Sequence, residues 1–134
     1  MDGQYRYTSG AGIFITFSGN CRKALTLYQT CFGGQLFFEN LSQSLPGYPE
    51  RPIVIGSLLS DRIFIQGSDL VQDEGRKIGN HIAIIFTCAH NAERKRLTEQ
   101  LLGCCVPLPV ACEEDQVLIE IVDVFQVRWL LRVK

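Results

Sequence analysis

Residues 18–34, SGNCRKALTLYQTCFGG, read as a turn, a single amphipathic helix and a double-glycine stop. Asn20 is a fitting N-cap, because its side-chain oxygen can accept from the backbone N–H groups that a helix start leaves unpaired. Ala24, Leu25, Tyr28, Cys31 and Phe32 recur at helical spacing and give one apolar stripe. Gly33 and Gly34 end the helix, since glycine takes the left-handed conformation without a Cβ penalty. A strand should follow at once.

Working outward, residues 12–17, GIFITF, are a short apolar run of β-formers and predict a strand ahead of the helix. Residues 35–41, QLFFENL, predict the strand after it. Residues 42–52 hold three prolines and a glycine and read as a loop. Residues 53–59 and 62–67 are two more β-like runs, split by Ser60-Asp61 as a tight hairpin. Repeat one, about residues 11–68, is thus strand, helix, strand, strand, strand. Residues 69–78, charged and containing glycine, read as a linker.

The order then starts again in repeat two, about residues 79–133. Residues 79–86 predict a strand, 91–102 a helix closed by Gly103, and 104–110 a strand confined to an edge or bulge by Pro107 and Pro109. Residues 117–122 and 127–133 predict the last two strands, joined by a turn at 123–126 that lacks a glycine. Pairing Gly12 with His81 sets a shift of 69 positions, 81 minus 12, and the same shift puts Phe86 on Phe17. The expectation is one α+β domain over residues 1–134, an internal duplication of a βαβββ unit.

A chain of 134 residues can bury about two-thirds of its unfolded surface and needs no metal or disulfide staple. Thirteen basic residues stand against fourteen acidic ones, net −1, which offers no field for nucleic acid or an anionic membrane. No apolar run approaches the ~20 residues of a spanning helix. The opening MDGQYRYTSGAG has no apolar core behind basic residues, so neither a signal nor an anchor is expected, and the cytoplasm is the expected compartment. There the six cysteines, at positions 21, 31, 88, 104, 105 and 112, are expected to stay reduced.

The run FITFSGNCRKALTLYQTCFGG resembles the opening of PhnB-like proteins, a branch of the vicinal oxygen chelate superfamily that includes glyoxalase I, bleomycin-resistance proteins and extradiol dioxygenases. Phe17, the Gly19-Asn20 turn, Ala24, Tyr28 and Phe32-Gly33-Gly34 carry the likeness. The stretch from Asp61 to Ser68-Asp69 is similar to the family's third and fourth strands. Residues 124–129, VFQVRW, resemble its closing aspartate-x-phenylalanine-glycine-x-x-tryptophan segment, with Gln126 where that segment has glycine. The resemblance implies tandem βαβββ repeats in an open, cupped mixed sheet, completed as a homodimer, with a ligand or metal in the cup. Metal-using members take ligands from the first strand of each repeat and from the closing strand. Those positions fall here on Gly12, His81 and a residue near Leu130, and the usual third-strand histidine falls near Val54 or Ile55. Catalytic sites need about three protein ligands, so one imidazole does not hold a metal tightly. No cofactor is expected.

Three residues remain as candidates for a ligand site. His81 is either a cup residue able to exchange a proton near neutral pH or a strand-start histidine bonded to backbone. Glu120, inside the apolar run VLIEIV, points either to solvent or into the cup, where apolar surroundings would raise its pKa. Trp129 packs as core or lines a pocket. A zinc site from His81, Cys88, His90, Cys104 and Cys105 lacks paired ligand spacing. Cys88 and His90 as nucleophile and base compete with a simpler reading, in which Cys88 ends a strand and His90 caps the second helix. The sequence leaves three functions open: a metal-independent module holding a small, partly apolar molecule; a metal-dependent lyase, isomerase or dioxygenase; and a degenerate domain that dimerises or contacts another protein.

Overall fold

The computed structural model describes residues 12–43, 46, 51–69, 76–103 and 117–134. In chain order these hold β1 (Ile13–Thr16), α1 (Cys21–Phe32), β2 (Gln35–Asn40), β3 (Ile53–Leu59), β4 (Phe64–Ser68), β5 (Ile84–Cys88), α2 (Asn91–Leu101), β6 (Leu118–Val122) and β7 (Arg128–Val133). The strand expected at 104–110, much of the 42–52 loop and the middle of the 69–78 linker lie outside the described residues. No helix among the described residues is long and apolar enough to cross a membrane.

The strands form a four-stranded sheet, β1-β4-β3-β2, and a three-stranded sheet, β5-β7-β6. Each is mixed in the same way. The first strand of a repeat runs parallel to its last, β1 with β4 and β5 with β7, and the remaining pairs are antiparallel. In repeat one this makes β1 and β2 parallel to each other, with α1 as the crossover that a parallel connection requires. The β3–β4 hairpin fills the gap between them. The fold is α+β and repeats its strand order.

Local chemistry explains where elements begin and stop. Asn20 stands at the N-cap of α1, yet its side chain makes no capping bond and its Oδ1 is buried without a hydrogen-bond partner. The cap comes from Asp69 instead: Oδ1 accepts from Gly19 N–H and Cys21 N–H, both at 2.9 Å, and Oδ2 from Ile53 N–H at 3.0 Å. One carboxylate from the end of repeat one thus fixes the start of both α1 and β3. Gly33 has φ 76° and ψ −172°, a glycine-only region rather than the expected left-handed helical cap. At Gly34, φ is 103° and a Cβ would lie 2.4 Å from the Leu59 carbonyl oxygen, so the double glycine lets β2 leave the helix hard against β3.

Two strands begin two or more residues later than expected. The hairpin after β3 closes with Ser60 N–H donating to Ile63 O, so β4 starts at Phe64. β5 starts at Ile84, not 79, because its described partner is β7 and the ladder opens at Ile84 opposite Trp129. One residue before Arg128, β7 gives way to its turn, and residues 79–83 have no strand to pair with there among the described residues.

The two repeats share one hydrophobic cluster. Phe17, Leu25, Tyr28, Leu58 and Ile65 come from repeat one; Phe86, Leu97, Leu101, Trp129 and Leu131 come from repeat two. Phe32 joins them, its ring 4.8 Å from Phe86 and stacked on Trp129 at 5.3 Å. Arg62, in the β3–β4 turn, adds a polar clasp between repeats. It pairs with Glu93 of α2, donates to Thr87 O at 3.0 Å, and lies 4.5 Å from the centre of the Phe86 ring. Strand alternation sends Phe86, Ile119, Ile121, Trp129 and Leu131 toward the helices and leaves the opposite faces open.

Candidate small-molecule cleft

Between the β1 edge and the start of repeat two lies a cleft of about 340 Å³. Ile13, Phe14, Ile78, Ile82, Ile84 and Val122 supply apolar wall. Phe14 and Ile82 are 57% and 72% exposed, so the cleft leaves large apolar surface uncovered. Arg76, Lys77, His81 and Arg128 supply the polar part of the lining. Volume and lining suit a small organic molecule with an apolar body, since such sites begin at about 300 Å³.

His81 is in this lining, but not as a strand residue. It stands in a bend three positions before β5, exposed, with its ring against Gly79. Glu120 sits on the open face of β6 and forms an ion pair with Arg128 of β7. Arg128 lines the cleft, and Glu120 stands behind it as a counter-charge. The Arg128 Nε is buried without a hydrogen-bond partner among the described residues.

Trp129 belongs elsewhere. It is fully buried on the helix side of β7, one residue out of phase with Arg128, and lines no part of the cleft. Its Nε1 donates to Asp123 Oδ2 at 2.9 Å, which satisfies the indole inside the core. The ligand role expected for it is therefore corrected to a packing role: alternation at β7 gives the cleft Arg128 and gives the core Trp129.

The sequence reading missed Asp123. Its Oδ1 accepts from Phe125 N–H at 2.7 Å and Val127 N–H at 3.1 Å, while Oδ2 accepts from the Trp129 indole and from Tyr28 Oη at 2.6 Å. Burial first, then the Asp123 charge, push the Tyr28 hydroxyl far above its ordinary range. Asp123 builds the turn that delivers Gln126, Val127 and Arg128 to the cleft. The available signal was a carboxylate just before a turn, where Asp bonds backbone two residues on. Arg76 was missed because a charged, glycine-containing stretch reads as linker. It donates to Phe125 O at 3.0 Å and stands 5.2 Å from the centre of the Phe17 ring, joining the linker to both repeats.

Cys21 and Cys88 are not placed as nucleophiles. Cys21 and Cys88 are completely buried, and desolvation pushes their thiols up to about 12 and about 11. Thiolate is the reactive form, so neither is activated at neutral pH. His90 is the N-cap of α2, its Nδ1 accepting from Glu93 N–H at 3.1 Å.

Solved structures share this architecture across nearly the whole chain. Protein PA1353 from Pseudomonas aeruginosa matches with TM-score 0.69 and 22% identity, covering 93% of this chain and 98% of that one. A putative 3-demethylubiquinone-9 3-methyltransferase, PhnB protein, from Bacillus cereus matches with TM-score 0.72 and 16% identity, covering 94% and 100%. The chain shares the glyoxalase/bleomycin-resistance-like fold of these structures. FosX, a fosfomycin resistance protein from Listeria monocytogenes solved with Mn(II) and sulfate, matches that fold with TM-score 0.60 and 14% identity over 96% and 94%. No protein-family model matches the chain, and no curated protein does.

The described side chains of this fold offer no three-ligand set for a divalent ion. Among the described residues no three His, Cys, Asp or Glu side chains converge. On the open faces, cross-strand neighbours run Phe14, Gln66 and Ser57 in repeat one and Ile85, Leu130 and Glu120 in repeat two. Gln66 donates to Ser57 Oγ at 3.2 Å, and Glu120 is committed to Arg128.

Proposed function

We propose that this chain is a metal-independent small-molecule-binding module on a vicinal oxygen chelate fold, acting as a homodimer. One observation carries the reading: the uncovered cleft between the repeats has apolar walls and a polar cluster of His81, Arg76, Lys77 and Arg128. Such a lining binds by burial and charge, with no lone pairs converging on a cation. The manganese in Listeria FosX belongs to that protein; the open strand faces of this chain carry Phe14, Ile85 and Leu130. The module ends each sheet on an uncovered edge, β1 and β5 among the described residues, which favours pairing with a second copy.

The test is calorimetric titration of nickel, manganese and zinc into the wild type and His81→Ala, beside elemental analysis of the purified protein. The expected result is no stoichiometric binding. One metal per chain, lost in His81→Ala, overturns the reading in favour of a metal-dependent lyase, isomerase or dioxygenase.

A further inference from the structure

We infer that the cleft selects an amphipathic organic anion: one acid group, such as a carboxylate or sulfonate, on a compact apolar body. The inference rests on the small-molecule reading above and adds the sign of the ligand's charge and the group that holds it.

Charge comes first. The chain as a whole is nearly neutral, net −1, so basic residues are not a general property of its surface. Arg76, Lys77, Arg128 and His81 nevertheless all line this one cleft, and among its described lining residues there is no Asp or Glu. A cationic ligand would meet like charge on several sides without a carboxylate to receive it. A polyanion such as a nucleic acid would need a basic surface far larger than a 340 Å³ cleft.

Arg128 supplies the second observation. Glu120 occupies its Nη1, while Nε, buried in the same residue, has no acceptor among the described residues. An unsatisfied buried N–H is costly, and charge-assisted bonds from guanidinium to an acid group are among the stronger ones available. Nε itself is shut off from the cleft, so a ligand acid group meets Arg128 at the exposed part of its guanidinium, which is 27% exposed and lines the cleft. Glu120 keeps the guanidinium in place before the ligand arrives, and Arg76 is held in the same way by Phe125 O and the Phe17 ring. Both cations are therefore preorganised, so little side-chain entropy is lost on binding.

The apolar body follows from the walls. Phe14, Ile78 and Ile82 are each more than half exposed beside these cations. An inorganic anion would satisfy the charges and leave that surface in water. An acid with a ring or short alkyl body covers both.

Fluorescence titration of the full chain with two probes tests this: anilinonaphthalene sulfonate, and phenylnaphthylamine, which has the same rings without the sulfonate. The sulfonate should saturate at one site per chain and bind about tenfold tighter than the neutral probe. Arg128→Gln should abolish that preference while leaving the neutral probe's affinity within about twofold. Lys77→Gln, on an exposed side chain away from the core, should reduce the preference and keeps the test valid if Arg128→Gln fails to fold. Equal affinity for the two probes overturns the anion inference and leaves the small-molecule reading standing. Binding of neither probe overturns both, and inorganic sulfate competing as well as the sulfonate probe overturns the apolar part.

Discussion

Tyr28 Oη and Asp123 Oδ2 are 2.6 Å apart although 95 positions separate them in sequence, and the bond ties α1 of repeat one to the closing turn of repeat two. The same oxygen accepts from Trp129. Removing the hydroxyl leaves Asp123 three donors; replacing the carboxylate turns one acceptor into a donor facing donors. Tyr28→Phe should therefore lower stability by about 1–2 kcal/mol and Asp123→Asn by about 3 kcal/mol in urea denaturation. The double variant should show coupling of about 1 kcal/mol. Additive losses would mean that the bond does not join the repeats energetically.

Gln126 has φ 67°, the one described non-glycine residue at positive φ, and it closes a three-residue loop between Asp123 and Val127. That geometry favours glycine at its last position. A side chain held there costs about 1–2 kcal/mol, whereas glycine's added freedom in the unfolded chain costs about 0.5–1 kcal/mol. The backbone strain outweighs the lost freedom. Gln126→Gly should stabilise the chain by about 0.5–1 kcal/mol, read as a higher denaturation midpoint with an unchanged slope. A lower midpoint would show that the Gln126 side chain makes a compensating contact.

These two sites show what the sequence could and could not disclose. The amphipathic helix was readable because Ala24, Leu25, Tyr28 and Cys31 are periodic, and β3 because residues 53–59 are an unbroken β-like run. Order and type of elements follow from such local patterns. Asp69 could not be read as the cap of α1, since its partners Gly19 and Cys21 lie about fifty positions away. Nor could the cleft: it joins β1 to residues 76–84 and 126–128, and only the fold makes them neighbours. His81 lines it for that reason, and Trp129 faces away because β7 alternates from Arg128.

Arg62 and Glu93 form the polar clasp between repeats, and their hydrogen bond holds the Glu93 carboxyl below its ordinary value of 4.5. A carboxyl depressed in the folded state stabilises the fold above its unfolded pKa, and the contribution is lost as pH falls through the lower folded value. Arg62 is 41% exposed, so screening limits the pair to about 0.5–1 kcal/mol. Glu93→Gln should lower stability at neutral pH by about that amount and flatten the stability curve below about pH 4.5. Curves that stay parallel through the acid range would remove Glu93 as the titrating group.

Ile85 lies on the open face of β5, an edge strand among the described residues, and is 56% exposed in a single chain. Pairing of two copies along such edges would cover it together with the unpaired backbone groups of the strand. Light scattering at micromolar concentration should therefore give twice the mass of the 15.1 kDa chain. Ile85→Lys places an ammonium group at that point and should shift the species to monomer with the circular dichroism spectrum unchanged. Because the substitution is on the face away from the core, loss of the dimer should leave the unfolding midpoint of the separated chain close to what its own core supports. A sharp monomer for the wild type would show that one chain covers its edges without a second copy.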